Sequence, residues 1–188
     1  ATPTLIGIDN DETLLDIADL NAKIRAVPVE LYHQDGLEDW VGQKPQMVIS
    51  DLPVGYYPND ENAKKFELHE AVGHSLAHEL FVQQIVQNLD DDGFAFLVVP
   101  AVLLNSENAT TFVKWLTKKT YLQAIIDLPG DLFVDQQMQK NILVLQKHGS
   151  KGRQANEILL AKLGSLHEKK SLIEFNVKLN EWYKNNLI

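Results

Sequence analysis

Val48-Ile49-Ser50-Asp51-Leu52-Pro53-Val54-Gly55-Tyr56-Tyr57-Pro58 is the stretch on which the reading of this chain turns. A short apolar run, residues 47–50, ends in an aspartate and a proline-stiffened turn that carries two tyrosines. Short apolar runs closed by turn residues are the pattern of strands in a buried parallel sheet. The same punctuation recurs on both sides. Upstream, residues 5–9 and 29–33 read as strands. Between them, residues 11–25 repeat Leu14, Leu15, Ala18, Ala22 and Ile24 at helical spacing. Asp9, Asn10 and Asp11 are cap candidates for that helix, and Pro28 stops it.

Downstream, residues 59–65 are polar and read as a loop. Residues 66–89 read as one long amphipathic helix, closed by Asp90-Asp91-Asp92-Gly93. Residues 94–99 are nearly all apolar, which predicts a central strand. Residues 106–119 predict a helix with Ser106 as N-cap and lysines in its last turn. Residues 122–127 and 141–146 predict strands whose short, glutamine-rich connection leaves no room for another full helix, so they form an antiparallel pair. Residues 157–163 suit an edge strand and residues 171–185 a closing helix. Strands and helices in alternation with an antiparallel finish make an α/β fold.

Composition narrows the function. The chain has 188 residues, 45% apolar and 23% charged, enough for one sizeable core. It has no cysteine, which excludes disulfides, thiol nucleophiles and zinc–cysteine sites. The net charge of -9 excludes a basic nucleic-acid clamp for the chain as a whole, though not a local groove. No apolar run reaches the roughly 18 residues of a membrane helix, and no charged segment precedes an apolar one. A cytosolic, cytoplasmic domain is the expectation. Ala1 stands where an initiator methionine is absent, and a strand pattern begins three residues later. The expectation is a piece of a longer protein.

Three successive strands end in aspartates: Asp9, Asp35 and Asp51. In open α/β sheets ligands sit beyond the carboxyl ends of the strands. A carboxylate there accepts two hydrogen bonds from ribose hydroxyls, and one after the next strand accepts from an exocyclic amine. Aspartate is also a common turn residue; three in succession favour a nucleoside-type ligand.

Here the chain resembles the S-adenosylmethionine-dependent adenine-N6 DNA methyltransferases, closest to those related to modification subunits of bacterial type I restriction-modification systems. Their catalytic motif, Asn/Asp-Pro-Pro-Phe/Tyr, closes a strand as Asp51-Leu52-Pro53-Val54 does. Gly7-Ile8-Asp9 with the following helix resembles the family's ribose motif, and Asp35-Gly36-Leu37 its adenine-binding turn. Residues 89–100 resemble its fifth strand after a glycine turn, and residues 125–145 its closing hairpin. The resemblance implies a Rossmann-like class I methyltransferase sheet, mostly parallel, in the order three-two-one-four-five-seven-six. The chain would start at strand two and be the C-terminal portion of the catalytic domain, with the first strand missing. It implies S-adenosylmethionine as cofactor, held by Asp9, Asn10, Asp35, Gly36 and Leu37. Asp51, the Leu52 carbonyl and Pro53 would act on an adenine in DNA, with Val54, Tyr56 and Tyr57 around the flipped base. The missing strand predicts that residues 5–8 pair with residues 48–50 or enter another chain's sheet, as a homo-oligomer or strand-swapped dimer, and that this chain alone is inactive.

Val54 departs from the family's aromatic ring, whose stacking is worth about 1–3 kcal/mol per base; Tyr56 or Tyr57 is the candidate substitute. A degenerate fold serving as an interaction module is one competing reading. A nucleotide-dependent oxidoreductase, for which an acid after the second strand also suits NAD, is another. His69-Glu70 with His74 is one residue too long for the zinc-protease helix; His74 and His78 do stand at i and i+4, but a third ligand is not evident, and no metal is expected. Lys147, Lys151 and Arg153 read as a solvated turn. Phe112, Trp115 and Leu116 read as core.

Overall fold

The computed structural model describes residues 4–104 and 109–186. They fall into two compact units, residues 1–42 and 43–188.

The first unit is a βαβ element. Strands β1 (Ile6–Asp9) and β2 (Glu30–His33) pair in parallel, with Asp9 opposite His33. Helix α1 (Glu12–Ile24) connects them. Its N-cap is Asp11, whose Oδ1 accepts from Thr13 N at 2.8 Å and Leu14 N at 3.3 Å, satisfying donors that a helix start leaves open.

The second unit is a five-stranded sheet in the order β3-β4-β6-β5-β7. Its strands are β3 (Met47–Asp51), β4 (Phe94–Pro100), β5 (Thr120–Asp127), β6 (Lys140–Lys147) and β7 (Leu159–Lys162). Strand β6 runs antiparallel to both neighbours, whereas the β3–β4 and β5–β7 pairs are parallel. The antiparallel pair and the edge position of β7 are those expected from sequence. With β2-β1 and β3-β4-β6-β5, the strands keep the three-two and four-five-seven-six orders that the resemblance implies. Among the described residues β1 pairs with β2 and β3 with β4, in two separate sheets.

Alternation along β6 shows how the sheet is covered. Leu143 and Leu145 are fully buried on one face. Ile142 and Val144 face the other way, packed with Ala124, Ile126 and Leu159 against Phe175, Leu179 and Trp182 of α5 (Lys169–Asn186). Helix α4 (Ala109–Lys119) buries Phe112, Trp115 and Leu116, the residues assigned to the core. Ser106, its expected N-cap, lies outside the described residues.

The expected helix over residues 66–89 is shorter. Helix α3 starts at Ala77 and ends at Asn88. The apolar pattern continues upstream of it, but Gly73 stands at φ 90°, a conformation outside any right-handed helix. Side chains replace the helical ladder there: Leu68 N donates to Gln83 Oε1 at 2.9 Å and Glu70 N to Ser75 Oγ at 3.0 Å. The polar stretch 59–65 in turn holds a short helix, α2 (Asp60–Ala63), capped by Asn59, whose Oδ1 accepts from Asn62 N. Lys147, read as part of a solvated basic turn, instead donates to the carbonyls of Gln87 (3.2 Å) and Leu89 (2.6 Å) at the end of α3.

A buried amide chain ties the far end of the sheet together. Gln123 Nε2 donates to Gln146 Oε1 (3.0 Å) and Arg153 O (2.7 Å), and Gln123 Oε1 accepts from Ala155 N (3.0 Å). Gln123 is 1% exposed. Gln123→Leu would leave three polar groups without this partner, at about 1–3 kcal/mol for each one that stays unsatisfied. The expected result is a loss of about 2–4 kcal/mol in denaturant unfolding; unchanged stability would show that these groups find other partners.

Candidate functional site

Asp51 is the last residue of β3 and lies opposite Val98 of β4. Its carboxylate is 63% exposed and its Oδ1 accepts from Lys140 Nζ at 2.6 Å. Leu52 turns the other way and is 1% exposed. Its N–H donates to Val98 O at 2.9 Å, which extends the β3–β4 ladder by one bond. The second-position proline of the family pattern has no N–H and could not make that bond. Leucine here anchors the turn in two ways, by its side chain and by its donor.

The turn is pinned from the other side as well. Ala77 N donates to Gly55 O and Tyr57 N to Ser75 O, each at 2.9 Å, and Tyr56 forms an antiparallel bridge with Leu76. Gly55 stands at φ 112°, where only glycine is free of strain. Pro53 and Val54 are held out into solvent between these two anchors.

The two tyrosines part company. Tyr57 is buried at 5% exposure, and its hydroxyl accepts from Asn62 Nδ2 at 2.9 Å. Tyr56 is 69% exposed, its ring centroid 6.1 Å from that of His74. His74 Nδ1 lies 3.0 Å from the Asp60 carboxylate. His69 Nδ1 lies 2.6 Å from Phe66 O, and His78 is 4% exposed. Among the described residues no group of three or more histidine, cysteine or acidic side chains is arranged to hold a metal.

In the first unit, Asp9 is the last residue of β1 and Asp35 lies two residues beyond the end of β2. Asp9 Oδ1 accepts from Asp11 N at 2.9 Å, and Gln34 N donates to Asp9 O at 3.0 Å. Asn10 is exposed, and its carbonyl lies 3.0 Å from His33 Nε2. Asp35 Oδ1 accepts from Leu37 N at 2.9 Å, while the Trp40 indole donates to Gly36 O at 2.8 Å. Leu37 is 2% exposed and fixes this turn from below.

Sequence reasoning missed two residues. Lys140 is one. Glu79, in the first turn of α3, is the other: it is 4% exposed and its Oε1 has no hydrogen-bond partner among the described residues. Burial pushes its carboxyl up from an ordinary 4.5 to about 7, and the charge of Glu70 adds to the rise. A carboxyl raised on folding binds its proton more tightly in the folded chain than in the unfolded one. Its stabilising protonated form is therefore lost, and stability falls, as pH rises from about 4.5 to about 7. Neighbouring His78 is shifted down by burial, which costs stability in the opposite sense, toward acid pH. Glu79→Gln removes the first effect alone. The expected outcome is a variant that gains stability relative to the parent as pH rises from 5 to 8, followed by thermal melting. A pH-independent difference would overturn the assignment.

A mixed sheet in this order, with Asp51 closing β3 and Asp127 closing β5, is the class I methyltransferase-like fold. Residues 2–185 match the N-6 DNA Methylase family, and the chain belongs to that family. It is 39% identical over 183 residues to the uncharacterized protein YtxK of Bacillus subtilis, covering 97% of this chain and 56% of that protein. It is 36% identical to a Listeria monocytogenes protein whose structure is described as that of a proposed class I S-adenosylmethionine-dependent methyltransferase. That match has a TM-score of 0.87 and covers 96% of this chain and 55% of the other. The methyltransferase subunit of a type I restriction-modification system from Streptococcus thermophilus shares the fold, with a TM-score of 0.71, 18% identity and coverage of 97% and 42%. The chain thus spans about half the length of the Bacillus and Listeria relatives. Among the described residues no helix is long and apolar enough to cross a membrane.

Proposed function

We propose that the full-length protein transfers a methyl group from S-adenosylmethionine to the exocyclic amine of adenine in DNA. The observation that carries this reading is Asp51: an exposed carboxylate at a strand end, on a turn anchored at Leu52 and Gly55 with Pro53 and Val54 projecting into solvent. The family membership supplies the reaction class.

The donor set suits the cofactor. Asp9 keeps Oδ2 free of hydrogen bonds among the described residues while Oδ1 holds the turn, which leaves an anionic acceptor for ribose hydroxyls. When bound, the cofactor supplies an electrophilic methyl group on a sulfonium. The adenine amine is conjugated and weakly nucleophilic. Asp51 and the Leu52 carbonyl accept its two N–H bonds, which orients the nitrogen lone pair. Positioning and electrostatics then do the chemistry, with no covalent enzyme intermediate. Tyr56, the exposed ring two residues after Val54, offers the stacking face for a flipped base.

The test is transfer of a labelled methyl group by the full-length protein to DNA, with adenine-N6 read by mass spectrometry and NAD binding measured alongside. Product on adenine supports the reading. Tight NAD binding without methyl transfer would overturn it. A second reading, an interaction module on a methyltransferase fold, is favoured by Val54, which is 65% exposed where the family pattern places a ring. Cofactor binding without transfer to any adenine-containing substrate is its signature.

A further inference from the structure

Two copies of the same tripeptide close two strands of the second unit: Asp51-Leu52-Pro53 after β3 and Asp127-Leu128-Pro129 after β5. Strand β6 runs antiparallel beside β5, so its first residues lie at the same end of the sheet as both aspartates. Asp127 is in register with Asn141, and Pro100 of β4 with Lys140. With its amide turned so that nitrogen faces the acid, Asn141 donates to Asp127 Oδ1 at 3.3 Å. Lys140 has another target. It extends past the end of β4 to Asp51 on β3 and donates to Oδ1 at 2.6 Å. The backbones of β3 and β6 are two strand spacings apart, about 10 Å, so only a long cationic side chain spans the distance.

The pair is asymmetric in its surroundings. The Lys140 side chain is 22% exposed and the Asp51 side chain 63%. The lysine is thus held by protein on most sides and brings its charge to a carboxylate that faces solvent. Such a bond consumes one carboxylate oxygen and restricts rotation of the other. It also offsets the negative charge.

We propose that Lys140 is the positioning residue for Asp51: by engaging Oδ1 it leaves Oδ2 as a single directed acceptor, so that the ion pair presents to the substrate amine what an asparagine side-chain oxygen presents. The proposal rests on the methyl-transfer reading for its kinetic consequence, but the pairing itself does not. Lys140 touches neither substrate nor cofactor and acts through Asp51. The geometry also explains why an aspartate serves at a position where the family pattern allows either an acid or an amide. The acid needs a counter-charge that the amide does not.

The experiment compares Lys140→Met, Lys140→Arg, Asp51→Asn and the double variant Lys140→Met with Asp51→Asn in the full-length protein. Methyl transfer to adenine-containing DNA is measured with the 13C shift of the Asp51 side-chain carboxyl, assigned by its loss in Asp51→Asn. Lys140→Met is expected to lower kcat about tenfold or more while KM for DNA stays within about threefold, and Lys140→Arg to restore most of the rate. In the Asp51→Asn background Lys140→Met is expected to change nothing further, because the charge it serves is gone. Equal kcat in Lys140→Met and the parent overturns the proposal. So does the same tenfold loss in the Asp51→Asn background, which would mark a role independent of Asp51. If the parent transfers no methyl group to adenine, the functional reading fails separately, and the NMR arm still decides the pairing. A carboxyl shift that moves in Lys140→Met supports it, and an unmoved one overturns it.

Discussion

Asp51→Ala is expected to lower adenine methylation by the full-length protein at least about a hundredfold while leaving S-adenosylmethionine binding within about twofold. The residue is assigned to the base, and removing one positioned hydrogen-bonding group from a reacting centre typically costs about 10²–10³ in rate. The local structure tolerates the change. Asp51 is mostly exposed, and the turn that follows is held by the Leu52 and Tyr57 amides and the Gly55 carbonyl, none of which uses the Asp51 side chain. Among the described residues the group disturbed is Lys140, which loses its 2.6 Å partner. A fall in turnover with unchanged melting temperature therefore reports on chemistry. Single-turnover transfer from labelled cofactor, with cofactor binding measured by calorimetry, separates the two effects. Unchanged turnover would remove Asp51 from the site. Equal losses in binding and turnover would move it to the cofactor.

What sequence reading reached, and what it missed, follows from the range of the interactions involved. The strand ends at Asp9 and Asp51 were legible because both rest on local chemistry: an apolar run, then a residue that bonds its own backbone neighbours or closes the ladder. The antiparallel pair of β5 and β6 was legible because a short connection permits little else. The segment 66–76 was not, because its apolar residues follow helical spacing while φ at Gly73 and the bonds from Gln83 and Ser75 set its path. Glu79 looked like an ordinary charged helix residue. Its burial depends on α3 being covered nearly all round, with Leu80, Val82, Ile85 and Val86 within 2% of complete burial.

Lys140 could not be found along the chain at all. It lies 89 residues from Asp51, and the two meet only because the sheet places β4 between β3 and β6. Leu52 teaches a related lesson. It stands where the family pattern has proline, and the carbonyl survives the change. Its N–H bond to Val98 shows that the departure adds a ladder bond at the turn where the catalytic group is proposed to sit. Tyr56 and Tyr57, indistinguishable as neighbours in sequence, take opposite environments because successive residues of an extended segment point opposite ways.

The second large effect is expected at Asp9. Truncation to alanine should weaken S-adenosylmethionine binding by about ten- to a hundredfold. That is the loss of about 1.5–3 kcal/mol expected for a hydrogen bond to a charged acceptor. Alanine alone is an ambiguous probe, because Asp9 Oδ1 also accepts from Asp11 N at 2.9 Å. Asp11 is the N-cap of α1, so removing its neighbour's side chain can loosen the helix start. Asp9→Asn resolves this. Its amide oxygen keeps the bond to Asp11 N, while its NH2 group replaces the carboxylate oxygen offered to the ribose. A hydroxyl that donates to a carboxylate must reverse its role to face an amide NH2. Cofactor affinity should therefore fall in Asp9→Asn nearly as far as in Asp9→Ala, with the melting temperature held close to the parent's. Calorimetric titration of the full-length protein supplies both affinities. If Asp9→Asn binds as the parent does and only Asp9→Ala is weakened, Asp9 serves the turn before α1 and the ribose must be held elsewhere.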